Sequence, residues 1–167
     1  MTYHLAFVKP KTVQYILDGS QICESRLSKV RHAAMAVKAG DYLIFKAGDG
    51  RALATVDRVD IYESLRPLDI DALESLYSPF VDGPKPDPDY WRAKRESRYA
   101  VFMWLTNVIE IHIPKNLLPS TQSAWIGNYQ PTEQVLRCLN LRADGSDSNR
   151  QPSLWRSAAP PIAPHPR

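Results

Sequence analysis

The chain of 167 residues predicts an α+β domain: a small, strongly curved sheet or barrel of about six short strands with helices inserted between them. Three observations lead there. Six or so stretches have strand length and composition, helical patterns fall between some of them, and regular strand–helix–strand alternation is missing. Together they favour a mixed, curved sheet over a doubly wound parallel one.

The first strand spans residues 3–8 and ends at Lys9-Pro10. Pro10 suits the first turn of a helix. Val13, Ile16 and Leu17 then give that helix an apolar stripe, and Gly19 stops it in the left-handed conformation that glycine adopts cheaply. A strand over 22–29 follows, then a loop, then a strand over 42–46. Gly48-Asp49-Gly50 reads as a hairpin turn returning into a strand over 52–62. Pro67 and Asp69 open a helix carrying Ile70, Leu73, Leu76 and Tyr77 on one face. Residues 78–88 hold four prolines and read as an extended loop. Asp87-Pro88 supplies an N-cap and first-turn proline for a helix through about residue 97. The apolar run over 99–105 reads as a strand buried on both faces, and the alternation over 108–113 as a half-buried one with Ile109, Ile111 and Ile113 inward. A short strand over 123–128 around Trp125 and a helix over 131–139 with Val135, Leu136 and Leu139 inward complete the series. Residues 1–142 thus form one domain. From 143 to 167 the chain has five prolines, four serines and two large aliphatic residues, too little apolar surface to offset ordering, and is expected to be a disordered Pro/Ser-rich tail.

Composition bounds the function classes. Apolar residues make up 44% and charged ones 23%, close to the average for soluble globular domains. No apolar run approaches the roughly 18 residues of a membrane span, and the N-terminus lacks the pattern of a signal peptide, so a cytoplasmic location is expected. Two cysteines, Cys23 and Cys138, and four scattered histidines carry no metal-ligand spacing. No metal and no cofactor are expected. The net charge is only +3, but residues 1–50 carry seven Lys/Arg against four Asp/Glu. That excess suits phosphate attraction as well as it suits a plain solvated surface.

The most informative stretch runs from Gly19 to Lys29. Alternation along a strand places Ile22, Glu24, Arg26 and Ser28 on one side and Cys23, Ser25 and Leu27 on the other. If Cys23 and Leu27 face a core, Glu24 and Arg26 form an adjacent acid–base pair opposite. The arginine fork suits phosphate, carboxylate or a base edge, and the glutamate can orient it or accept from an amine or hydroxyl. The bland alternative is an exposed ion pair worth about 0–1 kcal/mol.

This segment resembles the ASCH-family motif Gly-x-Lys-x-x-Glu-x-Arg, with Gly19, Glu24 and Arg26 at matching positions. The surroundings are similar too: a strand ending in Lys9-Pro10, a helix ending Ile16-Leu17-Asp18-Gly19, and Val37-Lys38-Ala39-Gly40-Asp41 opening a strand. The resemblance covers roughly residues 5–62, with a continuation to Trp125. It implies a PUA-like barrel with a cleft, binding RNA or a nucleotide. Some members deacetylate acetylated cytidine, and nuclease activity is also associated with the family. The motif lysine is Gln21 here, and a threonine of the deacetylating members is Glu24. A glutamine amide is neither a general base nor a nucleophile, so amide hydrolysis by that mechanism lacks its lysine.

The ligand-binding candidates are therefore Lys9, Gln21, Glu24, Arg26, Lys29 and Arg98, with Glu24 the best catalytic candidate if the chain is an enzyme. Arg31 extends the basic stretch. Trp104 and Trp125 are weighed as base-stacking platforms against core packing, and Tyr90 and Trp91 as a lid against a pin for the proline-rich loop. The leading expectation is a module binding RNA or a modified nucleotide. A hydrolase of a modified nucleoside, a ribonuclease, and a protein-interaction domain using the proline-rich segments are the alternatives.

Overall fold

The structure is a computed structural model, and residues 1–140 are described. The expected tail over 143–167 lies outside the described residues. Six strands and four α-helices follow in the order β1 (Tyr3–Phe7), α1 (Pro10–Asp18), β2 (Cys23–Ser28), β3 (Tyr42–Ala47), β4 (Asp49–Tyr62), α2 (Pro67–Val81), α3 (Pro88–Ala93), β5 (Tyr99–Ile113), β6 (Trp125–Tyr129) and α4 (Glu133–Asn140). Short 3₁₀ turns occupy Ala33–Ala36 and Lys115–Leu117. No helix among the described residues is long and apolar enough to cross a membrane.

All six strands join one sheet in the order β2-β5-β4-β3-β1-β6. β1 runs parallel to β3, and the other neighbours are antiparallel. The long antiparallel β4–β5 pair, joined through α2 and α3, curls this sheet into a half-barrel. Its register steps three times, between Gly50 and Ala52, Leu53 and Thr55, and Val56 and Arg58, and each bulge bends and twists the pair. One bulge falls at Asn107, whose φ of 48° is left-handed. It explains why 99–105 and 108–113 read as two strands in sequence although they form one, Tyr99–Ile113. Ile111 and Ile113 are buried under α4, but Ile109 is 37% exposed, because that cover stops short of it.

The two faces of the sheet have separate cores. The concave face holds Ala6, Leu43, Phe45, Ala52, Ala54, Val56, Val101, Met103 and Trp125, capped by Val13 and Ile16 of α1 and Ala34 of the first 3₁₀ turn. On the convex face α2 and α3 cover Cys23, Leu27, Ala100, Phe102 and Trp104 at one end. There α4 covers Leu5, Ile44, Ile111 and Ile113 at the other. Strand alternation divides neighbouring residues between these cores, as with Leu5 and Ala6.

Three local expectations need correction. The helix α2 runs through Pro79 to Val81 instead of yielding to an extended loop at 78. Ile70, Leu73, Tyr77 and Val81 bury one face of it, and that packing outweighs the backbone bond lost at a last-turn proline. The helix α3 stops at Ala93, not near 97, where the Lys94 N–H closes onto Tyr90 and Trp91 carbonyls. The β3–β4 reversal pivots on Gly48 alone, since Ala47 already pairs with Asp49.

Gly19 ends α1 with φ +80°, its N–H on the Ile16 carbonyl, as expected. Gly83 is more demanding. Its φ is +77°, and a Cβ there would meet the Tyr15 ring at 2.5 Å. Gly83→Ala is expected to cost about 1–3 kcal/mol in urea denaturation; a change below about 0.5 kcal/mol would show that the loop relaxes freely.

Candidate functional site at the seam between β2 and β6

The strands β2 and β6 are the two edges of the curled sheet. Cys23 and Leu27 point to the convex core beneath α2 and α3, so Glu24 and Arg26 point the other way. Their direct neighbours across the ladder are Met103 and Val101, both in the concave core. The pair therefore enters the hollow of the half-barrel.

There Arg26 spans the open seam. Its Nη1 donates to the Ala124 carbonyl at 3.1 Å, just before β6, and its guanidinium carbon lies 5.3 Å from the centre of the Trp125 ring. Its Nη2 lies 2.6 Å from Glu24 Oε1, a buried ion pair. Arg26 Nε and Trp125 Nε1 are buried donors with no hydrogen-bond partner among the described residues. The Arg26 and Glu24 side chains are 12% and 6% exposed.

Gln21 completes the first layer. It is buried, and its Nε2 donates to the Cys23 carbonyl at 3.2 Å and to Glu24 Oε2 at 3.4 Å. The motif-lysine position thus contacts the glutamate through a neutral amide. Burial raises the Glu24 carboxyl above the ordinary carboxylate value, and the Arg26 charge and its hydrogen-bonding contact only partly offset this. The neighbouring Cys23 thiol is pushed up by burial, with Glu24 and Asp60 adding to the effect, so it is not a nucleophile at neutral pH.

Behind Trp125 lies a buried polar relay. His4 stacks on the tryptophan with centroids 5.5 Å apart. His4 Nδ1 accepts from the Asn128 N–H at 3.3 Å, and Nε2 pairs with Asp41 Oδ2 at 3.3 Å. Asp41 also accepts from the Thr2 and Lys38 N–H groups, each at 2.9 Å. Burial alone would raise the Asp41 carboxyl; those backbone donors and His4 more than offset it and hold it below its ordinary value near 3.8. A carboxyl lowered on folding contributes stability above the unfolded value and loses it as pH falls through the folded value. Asp41→Asn is therefore expected to flatten the acid limb of the stability–pH curve below pH ~4; an unchanged limb would assign acid unfolding to other groups.

At the mouth of the seam stand two basic residues that the sequence did not single out. His32 sits edge-on to Trp125 at 6.2 Å, with its Nδ1 accepting from the Ala34 N–H at 3.0 Å. Lys94, just past α3, donates to the Leu27 carbonyl at 3.2 Å. Burial lowers the proton affinity of both; Arg26 adds to each effect, and Lys94 adds to that on His32. No signal in the sequence linked Lys94 to β2, because 67 positions separate it from Leu27.

Other candidates lie elsewhere. Lys9 and Arg98 are exposed, and Arg98 precedes β5 beyond the end of the β2 ladder. Lys29 pairs with Glu96, and Arg31 with Glu63. Trp104 is in the convex core, its Nε1 donating to Asp60 at 2.8 Å. Trp125 is 4% exposed with His4 and Arg26 against its ring, which leaves no open face for a base. Tyr90 and Trp91 pin the proline-rich segment: Tyr90 Oη meets Ser25 Oγ at 2.9 Å, and Trp91 Nε1 donates to Asp82 at 3.0 Å. An open recess of about 520 Å³ near Thr2, Lys38, Asp41 and Asn128 includes neither Glu24 nor Arg26. No group of three or more His, Cys, Asp and Glu side chains among the described residues could hold a metal.

No family model matches the sequence, and no curated protein sequence does. Solved structures do. The chain is similar to ASCH from Zymomonas mobilis at TM-score 0.60 and 12% identity, over 84% of this chain and 95% of that one. It is also similar to two point mutants of that protein, at TM-scores 0.63 and 0.62 and identities of 12% and 13%. These likenesses again cover 84% of this chain, and 96% and 99% of the mutant chains. At such identities the likeness establishes the fold: this chain has an ASCH-like architecture.

Proposed function

We propose that the chain is an ASCH-type module that binds RNA or a nucleotide at the β2–β6 seam. The observation that supports this best is the pair of buried donors without partners, Arg26 Nε and Trp125 Nε1. An unpaired buried donor costs about 1–3 kcal/mol, a cost that an acceptor on a ligand removes. Arg26 meets that acceptor, and Glu24, steadied by Gln21, receives an exocyclic amine or a sugar hydroxyl. Ligand entry exchanges the Arg26–Ala124 contact for contacts to the ligand and parts the seam. The basic excess of the N-terminal third draws phosphate toward it.

The test compares wild type with Arg26→Lys, which keeps a positive charge beside Glu24 but removes the planar fork. Short single-stranded RNA and nucleoside monophosphates are titrated at two salt concentrations. Loss of at least about tenfold in affinity, one bidentate contact's worth, is expected. Equal binding by the two proteins would remove the seam from the account.

A hydrolytic reading has one observation in its favour, the raised proton affinity of the buried Glu24, as a carboxyl used as a general acid or base requires. Turnover of acetylated cytidine or of labelled RNA that disappears in Glu24→Gln would establish it, and no turnover by wild type would end it.

A further inference from the structure

We propose that the mouth of the seam is a subsite for a phosphomonoester, held by Arg26, His32 and Lys94. This rests on the reading of the seam as a nucleotide site and names the group bound at its entrance: a terminal phosphate rather than a bridging phosphodiester.

Three separate parts of the chain bring basic side chains to one place. Arg26 comes from β2, His32 from the cap of the 3₁₀ turn, and Lys94 from the end of α3. Arg26 and His32 both touch Trp125, and Lys94 reaches the carbonyl of Leu27, the residue after Arg26. Glu24 is the carboxylate in contact with this group, and it is already shared between Gln21 and Arg26.

The donors are also left unspent. With His32 Nδ1 accepting from Ala34, the imidazole proton lies on Nε2 and is free to be given. Lys94 uses one of its three N–H bonds on Leu27. Arg26 Nε has no hydrogen-bond partner among the described residues, nor has Nε1 of the almost wholly buried Trp125. Burial makes His32 and Lys94 bind protons less readily than usual, and repulsion from the Arg26 charge adds to it. An anion between them removes that repulsion. A phosphomonoester offers three terminal oxygens and nearly two negative charges at neutral pH, matching two cations and a neutral imidazole donor beside one carboxylate. A phosphodiester offers two free oxygens and one charge.

The test uses the full chain. First, inorganic phosphate is titrated while the His32 imidazole resonances are followed by NMR; a saturable shift is expected. Second, affinities for adenosine 5′-monophosphate, adenosine and the dinucleoside monophosphate ApA are compared. The monophosphate is expected to bind at least about tenfold more tightly than either, and the combined His32→Gln/Lys94→Gln variant to bring that ratio below about threefold. Absence of a phosphate response at His32, or affinities within twofold for all three ligands, overturns the subsite. Phosphate binding at His32 without any binding of nucleoside or nucleotide keeps the anion site and removes the nucleotide reading, so the two fail separately.

Discussion

Arg26→Met is expected to destabilise the fold by about 3–5 kcal/mol, because it strands a buried carboxylate. Glu24 is 6% exposed, and its contacts there are Gln21 and Arg26. Glu24→Gln/Arg26→Met should recover most of the loss, since replacing both members of a buried pair by neutral groups of similar volume is often neutral or favourable. Urea denaturation of the singles and the double gives the cycle, and equal losses in Arg26→Met and the double would show that the methionine itself fits badly. The pH dependence supplies a second arm. Burial raises the folded-state carboxyl of Glu24 above its ordinary value near 4.5. Such a group favours folding most below the unfolded value, and its contribution fades as pH rises through the folded value. Without Arg26 that fading grows steeper. The deficit of Arg26→Met should thus be largest near pH 8 and shrink as pH falls toward 4–5. Recovery of stability without recovery of ligand affinity would separate the scaffold role of the pair from its binding role.

Phe102→Ala is expected to cost about 3–5 kcal/mol. Phe102 is fully buried at the centre of the convex core. Its ring stacks on Tyr77 of α2 at 3.6 Å, lies 6.4 Å from Trp91 of α3 and meets Tyr62 of β4 edge-on at 6.0 Å. Removing it opens a cavity that two helices and a strand must share. For a domain of this size the melting temperature should fall by roughly 10–20 °C. A fall below about 3 °C would show that α2 and α3 collapse onto the gap, and that this cover is softer than its aromatic packing implies. Because α3 also carries Lys94 toward the seam, the same variant should weaken ligand binding more than its stability at the assay temperature explains.

Which parts of this protein were legible in advance follows from the range of the forces involved. Local signals were read well. Pro10 and Gly19 bound α1 because each acts within one turn of backbone. The alternation of β2 was readable because pleating alone sends Glu24 and Arg26 to the face opposite Cys23 and Leu27. The motif around Gly19, Glu24 and Arg26, together with the number of strands, was enough to anticipate an ASCH-like α+β fold. What failed depended on packing at a distance. Pro79 reads as a helix breaker, yet α2 passes through it because Tyr77 and Val81 bury against β5 and α3. Trp125 reads equally well as a stacking platform, yet His4, 121 positions away in the chain, lies against its ring.

From the sequence itself came the elements, their order, and the acid–base pair two positions apart on β2; these are set by backbone geometry and by the spacing of apolar residues. Only the tertiary structure decided that the pair lies inside the hollow, across an open seam from Trp125, and that His32 and Lys94 rather than Lys29 and Arg98 stand beside it. The physical reason is that the curl of the sheet, produced by three register steps between β4 and β5, brings edges together that share no local signal. The electrostatics of the site, a carboxyl raised by burial and cations pressed against one another, exist only once that curl has removed water from around them.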